Sequence, residues 1–453
     1  MRLFALLLGL AALPLAAADL NVAPIAFKQH TLANGLQVIQ IEDHTSPTVA
    51  VQVWYHVGSK NDPAGRSGFA HLFEHLMFKS TKNLKAEQFD RLTEDVGGQN
   101  NATTNDDFTN YFEAVPSNHL ERLLWAEAER MANLNVDEAN FKSERAVVEE
   151  ELRQRVLATP YGRLFNAVPK DAYLVHPYKR PGIGSIEELD AAALADVIAF
   201  HRTFYRPDFA TLIVAGDFIP GELDKWVDAY FAPLQKPAAA IPQVKAVEAD
   251  WSKDRRYEEH GPNVPLPAVV VAWLAPPAKN KDSVALEVAA ALLANGESSR
   301  LHQALVYRQQ IAQSANFSSG DSVDKGLLYA FAIVASGHKP EQVETALLAE
   351  ISNAATQPIA APELDKVKTK LVTQTLSRRQ TAEGKAFAIG TSVLLKGDAD
   401  SANSDLDALQ KVTAADVQRV LKKYALDAHR VTINYTQQAE TKPAAAAAKG
   451  ATP

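Results

Sequence analysis

The sequence predicts an α+β fold made of two similar halves, and three observations support it. First, an amphipathic helix leading into a terminal apolar strand occurs twice, roughly 220 residues apart. Ala195-Asp196-Val197 through Phe204-Tyr205 leads into Thr211-Leu212-Ile213-Val214-Ala215, and Ala415-Asp416-Val417 through Lys423-Tyr424 leads into Arg430-Val431-Thr432-Ile433-Asn434-Tyr435. Second, the early apolar strand Val49 to Tyr55 has an echo at Ala268 to Trp273. Third, strands cluster near the ends of each half with helices between them. That pattern favours repeats with a mainly antiparallel sheet flanked by helices over a parallel, doubly wound sheet. Lys236-Pro237-Ala238-Ala239-Ala240-Ile241-Pro242 reads as a linker. The expected division is 19–235 for the first half, 236–250 for the linker and 251–440 for the second half.

The ends of the chain carry different signals. Met1-Arg2, the apolar run Leu3 to Leu15 and then Ala16-Ala17-Ala18 read as a signal peptide over 1–18, which points to a periplasmic or secreted protein of a Gram-negative bacterium. Its apolar core of about thirteen residues is short of the roughly twenty that a membrane-spanning helix needs. No later stretch is apolar enough to span, so no membrane span is expected. Thr441 to Pro453 is rich in Ala, Pro and Lys and is expected to be disordered.

Composition narrows the chemistry. The 453 residues include no cysteine, which excludes disulfides and thiolate metal ligands. A hydrophobic content of 47% is ordinary for a globular protein, and the chain is long enough to be held by its core. The formal net charge is −8 with no basic run, so nucleic acid is not an expected partner.

The most specific motif is His71-Leu72-Phe73-Glu74-His75. On a helix, residues four apart stand one turn above each other, so both imidazoles can converge on one ion. Phe69, Leu72, Phe73, Leu76 and Met77 supply an apolar side to pack that helix, and Gly65-Arg66-Ser67-Gly68 precedes it as a turn. Imidazole and carboxylate are the usual ligands of a hydrolytic zinc, and His-x-x-Glu-His is the inverse of the commoner zinc-protease order. If Glu74 is the general base, the third ligand must come from elsewhere. Phe141 to Leu157 is the best segment. Read as a helix, it places Glu144 and Glu151 on one face, two turns apart, and turns Glu149 and Glu150 away. Periodicity nominates the Glu144/Glu151 pair and leaves open which one is the ligand.

With Glu151 seventy-six residues beyond His75, the chain resembles the M16 peptidases. The resemblance extends to Gly58-Ser59, Gly68-Phe69-Ala70-His71 and Phe78-Lys79-Ser80-Thr81. It continues through Gly97-Gly98-Gln99-Asn100-Asn101-Ala102-Thr103-Thr104, Tyr111-Phe112 and Glu144-Arg145-Ala146-Val147-Val148. It implies one Zn2+ per chain held by His71, His75 and Glu151, with Glu144 a catalytic-site carboxylate behind the ligands and Glu74 the base. It further implies two LuxS/MPP-like repeats forming a clam-shell chamber, and an endopeptidase acting on peptides or unfolded polypeptides. Asn101, Ala102 and Thr103 become the strand that binds substrate.

One departure concerns the second half. Self-sufficient members of the family carry an Arg and a Tyr seven residues apart after a Ser-Arg-Leu-like turn. Aligned on Ser298-Ser299-Arg300-Leu301, those positions hold Val306 and Gln313 here. Arg300 and Tyr307 have the right spacing but stand six residues out of register, on another helix face. The resemblance therefore implies the catalytic half of a two-subunit enzyme, completed by a homologous M16 partner or by a second copy. The competing reading is a non-catalytic scaffold or peptide-binding subunit of a larger complex. A purely structural zinc is disfavoured, because such sites are usually Cys-rich.

Overall fold

The computed structural model describes residues 22–439, so the expected signal peptide and the tail over 441–453 lie outside the described residues. Eleven strands form among them, the central ones from continuous apolar runs and the outer ones more polar, assembled in two sheets. The first contains β1 (Lys28–Thr31), β2 (Gln37–Glu42), β3 (Thr48–Tyr55), β4 (Gln99–Thr104), β5 (Thr109–Pro116) and β6 (Ala210–Gly216) in the order β1-β2-β6-β3-β5-β4. Within it only β2 and β6 run parallel. The second contains β7 (Arg255–Gly261), β8 (Ala268–Leu274), β9 (Ala312–Ser319), β10 (Leu327–Val334) and β11 (Val431–Gln437) in the order β7-β11-β8-β10-β9. Only β7 and β11 run parallel there. These are the two mainly antiparallel, helix-flanked repeats that the sequence predicts. Its terminal strands are β6 and β11, both placed inside their sheets, which is why β6 is buried at every position.

The central strands of each sheet are buried on both faces. Val49, Val51, Val53 and Tyr55 of β3 pack on one side against the helices Phe69–Leu76, Leu120–Asn133 and Leu194–Phe204 of the same half. The opposite side, with Ile39, Ile41, Trp54 and Ile213, is covered by Ala386, Ile389 and Val393 of a helix from the second half, Ala382–Lys396. Gly390 permits that approach, since a Cβ there would come within 2.3 Å of the Trp54 ring. The exchange is reciprocal. Val270, Ile433 and Tyr435 of the second sheet pack against Leu164, Val168 and Ala172 of the first half's helix Gly162–Ala172. The halves therefore share core as well as a covalent connection, an arrangement that local sequence patterns do not announce.

The connection is itself tied down. Arg206 donates to the carbonyls of Pro237 (2.5 Å) and Ala239 (2.7 Å). Buried Glu248 accepts from the backbone N–H groups of Leu174, Val175 and His176 at 2.8 to 3.0 Å. Deep in the first half, Arg130 is fully buried with Glu113 and Glu127, donating to Glu113 at 2.7 Å and to both Glu127 oxygens. Its guanidinium also lies over the rings of Phe89 (4.1 Å) and Tyr111 (4.5 Å). No helix among the described residues is long and apolar enough to cross a membrane.

Candidate active site

The site is built from two helices. In Phe69–Leu76, residues Phe69, Ala70, Leu72, Phe73 and Leu76 are buried, and this leaves His71, Glu74 and His75 on the remaining face. The second helix, Glu138–Glu151, starts at Asp137, whose carboxylate accepts from the N–H of Asn140 at 2.8 Å. It continues into a wider π-helical stretch, Leu152–Leu157, and Glu151 stands at that junction, a feature often found at functional positions. Glu149 and Glu150 point away from the histidines, Glu149 half-buried beside Arg153 (3.2 Å) and Glu150 exposed at 3.4 Å from the same Arg153, whereas Glu144 and Glu151 turn towards the two histidines.

Oε2 of Glu151 lies 3.7 Å from Nε2 of His71 and 3.4 Å from Nε2 of His75. The two rings are 4.9 Å apart and nearly perpendicular, at 84°. One donor atom from each of the three side chains falls within 4.8 Å of the others. A tetrahedral zinc with bonds of about 2.0–2.1 Å separates its ligand atoms by about 3.3 Å, so this spacing fits such an ion. The donor set, two nitrogens and one carboxylate oxygen without sulfur, suits a hydrolytic site. Behind the cluster, Oε2 of Glu144 lies 3.7 Å from Nδ1 of His75, and Lys79 holds the other Glu144 oxygen at 2.8 Å. Arg155 occupies Oε1 of Glu151 at 2.6 Å, leaving Oε2 to face the imidazoles. Nδ1 of His71 is buried without a hydrogen-bond partner.

Charge follows this geometry. Burial, reinforced by neighbouring His75, pulls the His71 imidazole down to about 4, so it is neutral at physiological pH. Burial would also lower His75, but the neighbouring carboxylates of Glu144, Glu74 and Glu151 outweigh that and raise it. For Glu144 burial acts upward and is overcome by His75 and Lys79, which hold the carboxyl below its usual range. Burial raises Glu74 above the ordinary carboxylate value, against the opposing hydrogen bonds of Thr104 and the charge of His75.

Thr104 ends β4, and β4 is an edge strand of the first sheet, running beside the helix that carries Glu74. Along it Ala102 is buried in the core under that helix, while Asn101 and Thr103 are exposed on the other face. Gln99, on the same face as Asn101, donates to Glu383 of the second half at 3.2 Å. Asn101 also accepts, through its side chain, from the N–H of Ala102 at 2.8 Å. Among the described residues, the second half brings none into the three-donor cluster. There Arg300 makes a two-pronged ion pair with Glu363 (2.9 and 2.8 Å), Tyr307 is 70% exposed, and Gln313 points out of β9. Sequence reasoning passed over Arg155 as a site residue, and it did not assign Lys79 or Thr104 a role there. Lys79 stands one turn beyond His75 and Arg155 one turn beyond Glu151, so helical spacing could have found both. Thr104 becomes visible only once β4 is placed against the helix.

Comparison with known proteins agrees with this architecture. The family model described as insulinase (peptidase family M16) matches residues 37–185, and the one described as peptidase M16 inactive domain matches residues 192–371. Zinc protease PqqE of Helicobacter pylori is 32% identical over 408 residues, covering 89% of this chain and 91% of that protein. The crystal structure of a protease from Helicobacter pylori superposes with a TM-score of 0.87 at 31% identity, over 90% of this chain and 99% of that one. A probable mitochondrial-processing peptidase subunit beta of Arabidopsis thaliana is 24% identical over 405 residues, 88% of this chain and 76% of that protein. The chain belongs to the M16 peptidase family.

Proposed function

We propose that the protein is an exported, zinc-dependent endopeptidase that hydrolyses peptides or unfolded polypeptides, with one ion per chain held by His71, His75 and Glu151. The observation that carries this reading is the convergence of those three donors beside a half-buried Glu74. The name of the Helicobacter pylori relative, a zinc protease, supports both the metal and the reaction. When bound there, zinc supplies a Lewis acid that makes water acidic near neutral pH and polarises a carbonyl. Glu74 takes the proton from the attacking water and delivers it to the leaving amine, a shuttle suited to a carboxylate whose proton affinity is already raised by burial. Glu144 orients the His75 ring through Nδ1 and is itself anchored by Lys79. Arg155 fixes which oxygen of Glu151 faces the site.

The free edge at Asn101, Ala102 and Thr103 pairs with an extended substrate backbone. Main-chain bonding of that kind gives affinity with little dependence on sequence. The side chains at Val306 and Gln313 cannot replace an Arg/Tyr pair, so a homologous M16 partner, or a second copy, completes the enzyme. A relative named as a subunit of a processing peptidase supports that arrangement. The apolar leader over 1–18 supports periplasmic or secreted placement.

The test is cleavage of a quenched peptide, abolished by a chelator and restored by zinc. A metal-free chain with undiminished cleavage would reject the reaction class. Full activity in a preparation that sediments as monomer would reject the need for a partner.

A further inference from the structure

The helix carrying His71 and Glu74 has only eight residues and begins poorly by local criteria. Its first flanking residue, Gly68, sits at φ 93° and has no side chain with which to cap the free N–H groups. Helices this short are unstable by themselves, so their register is set from outside. The outside group is Asp62. It is 4% exposed, and its two carboxylate oxygens accept from the N–H groups of Gly68 (2.7 Å) and Ala70 (2.9 Å).

Asp62 is in turn held in place. Arg180 donates to its backbone carbonyl at 2.6 Å and to the carbonyl of Lys60 at 3.0 Å. Glu188 accepts from the N–H of Ser67 at 2.5 Å. Gly68 and Gly184 pass so closely that a Cβ on Gly184 would lie 2.4 Å from the carbonyl oxygen of Ser67. The start of the helix is thus clamped between a buried carboxylate and a turn distant in sequence. A slip of one residue would rotate His71, Glu74 and His75 by about 100°, away from Glu151.

We propose that Asp62 is a positioning residue that fixes the register of His71, Glu74 and His75, and so sets the affinity of the metal centre. The inference rests on the zinc reading given above. A role in stability alone is also open to a buried carboxylate, and the two differ in what they change. A stability role lowers the melting temperature of the metal-free protein. A positioning role weakens zinc binding in protein that remains folded.

The experiment is zinc titration against a chromophoric chelator, with thermal melting of the metal-free protein run in parallel, on wild type, Asp62→Asn and Asp62→Ala. The Asn variant keeps the shape but offers one acceptor oxygen where two N–H groups need partners. Zinc affinity is expected to fall about tenfold in Asp62→Asn and up to about a hundredfold in Asp62→Ala, the range seen when supporting partners of metal ligands are removed. Melting of Asp62→Asn is expected at or above the wild-type temperature, because a buried charge is gone. Zinc affinity within twofold of wild type in folded Asp62→Asn overturns the proposal, whether or not Asp62→Ala folds. A lower melting temperature with unchanged affinity does the same. Wild-type protein that binds no zinc defeats the metal reading itself, a separate result.

Discussion

Oxygen Oε2 of Glu151 stands 3.4 Å from Nε2 of His75, although the two residues belong to helices separated along the chain by two strands and the helices Gln88–Glu94 and Leu120–Asn133. Helix packing brings them together, with the buried side of Phe69–Leu76 anchored in the first core and Phe141 and Val148 of Glu138–Glu151 buried in the same cluster. The cluster of His71, His75 and Glu151 is therefore a product of the folded core, and its parts can be separated experimentally.

Loss of the base should leave the centre intact. Glu74→Gln removes the proton shuttle without touching a ligand, so turnover should fall by about 10²–10⁴-fold. Zinc content, measured by atomic absorption, should stay at the wild-type ratio. Wild-type turnover in this variant would show that another group does the proton transfer.

Loss of a ligand should do the opposite. Glu151→Gln is expected to weaken zinc binding sharply while the far-ultraviolet circular dichroism stays unchanged. Chelation of the wild-type protein should likewise leave a cooperative melt, because the core does not depend on the ion. At a free zinc concentration 100 times its dissociation constant, binding adds about 2.7 kcal/mol, so the midpoint should drop by several degrees on chelation. Collapse of the fold on chelation would contradict this.

Arg130 offers a test of the packing beneath the site. Arg130→Ala leaves two carboxylates buried without their cation, and burial together with Glu127 already pushes Glu113 well above its ordinary range. The expected cost is about 3–5 kcal/mol in urea unfolding. Replacing Arg130, Glu113 and Glu127 together by apolar residues of similar volume should recover most of it. A small loss in the single variant would mean that water reaches the triad.

Asp62 should give stability an unusual pH dependence. Burial lifts its carboxyl from 3.8 to about 7, against the hydrogen bonds from Ala70 and Gly68. The folded state thus binds this proton more tightly than the unfolded chain. Its contribution is fully present below about pH 4 and is withdrawn as pH rises through 7. Asp62→Asn does not titrate, so it should gain on wild type between pH 4 and 7, by on the order of 2–4 kcal/mol, and then level off. Urea unfolding at three pH values checks this, and a pH-independent difference would refute it.

Much of the architecture was legible because it is written in local period. Apolar spacing marked the helix around His71, and a period of 3.6 put Glu144 and Glu151 on one face while turning Glu149 and Glu150 away from it. The strand pairs near the ends of each half showed the repeat. The exchange of Gly162–Ala172 and Ala382–Lys396 between halves was not legible. It depends on the fit of Gly390 against Trp54, two residues far apart in the chain with no shared pattern. Arg130 was hidden for a related reason, since a charged residue in a mixed helix reads as a solvated face until its partners surround it.

By itself, then, the sequence determined which segments become helix or strand and which faces of two helices gather His71, Glu74, His75, Glu144 and Glu151, because those follow from the spacing of neighbours along the backbone. Only the tertiary structure decided that β4 lies at a sheet edge, that Asp62 caps a helix starting seven residues beyond it, and that one oxygen of Glu151 meets two imidazoles. Those outcomes depend on how buried surfaces fit one another, and that fit is a property of the assembled core.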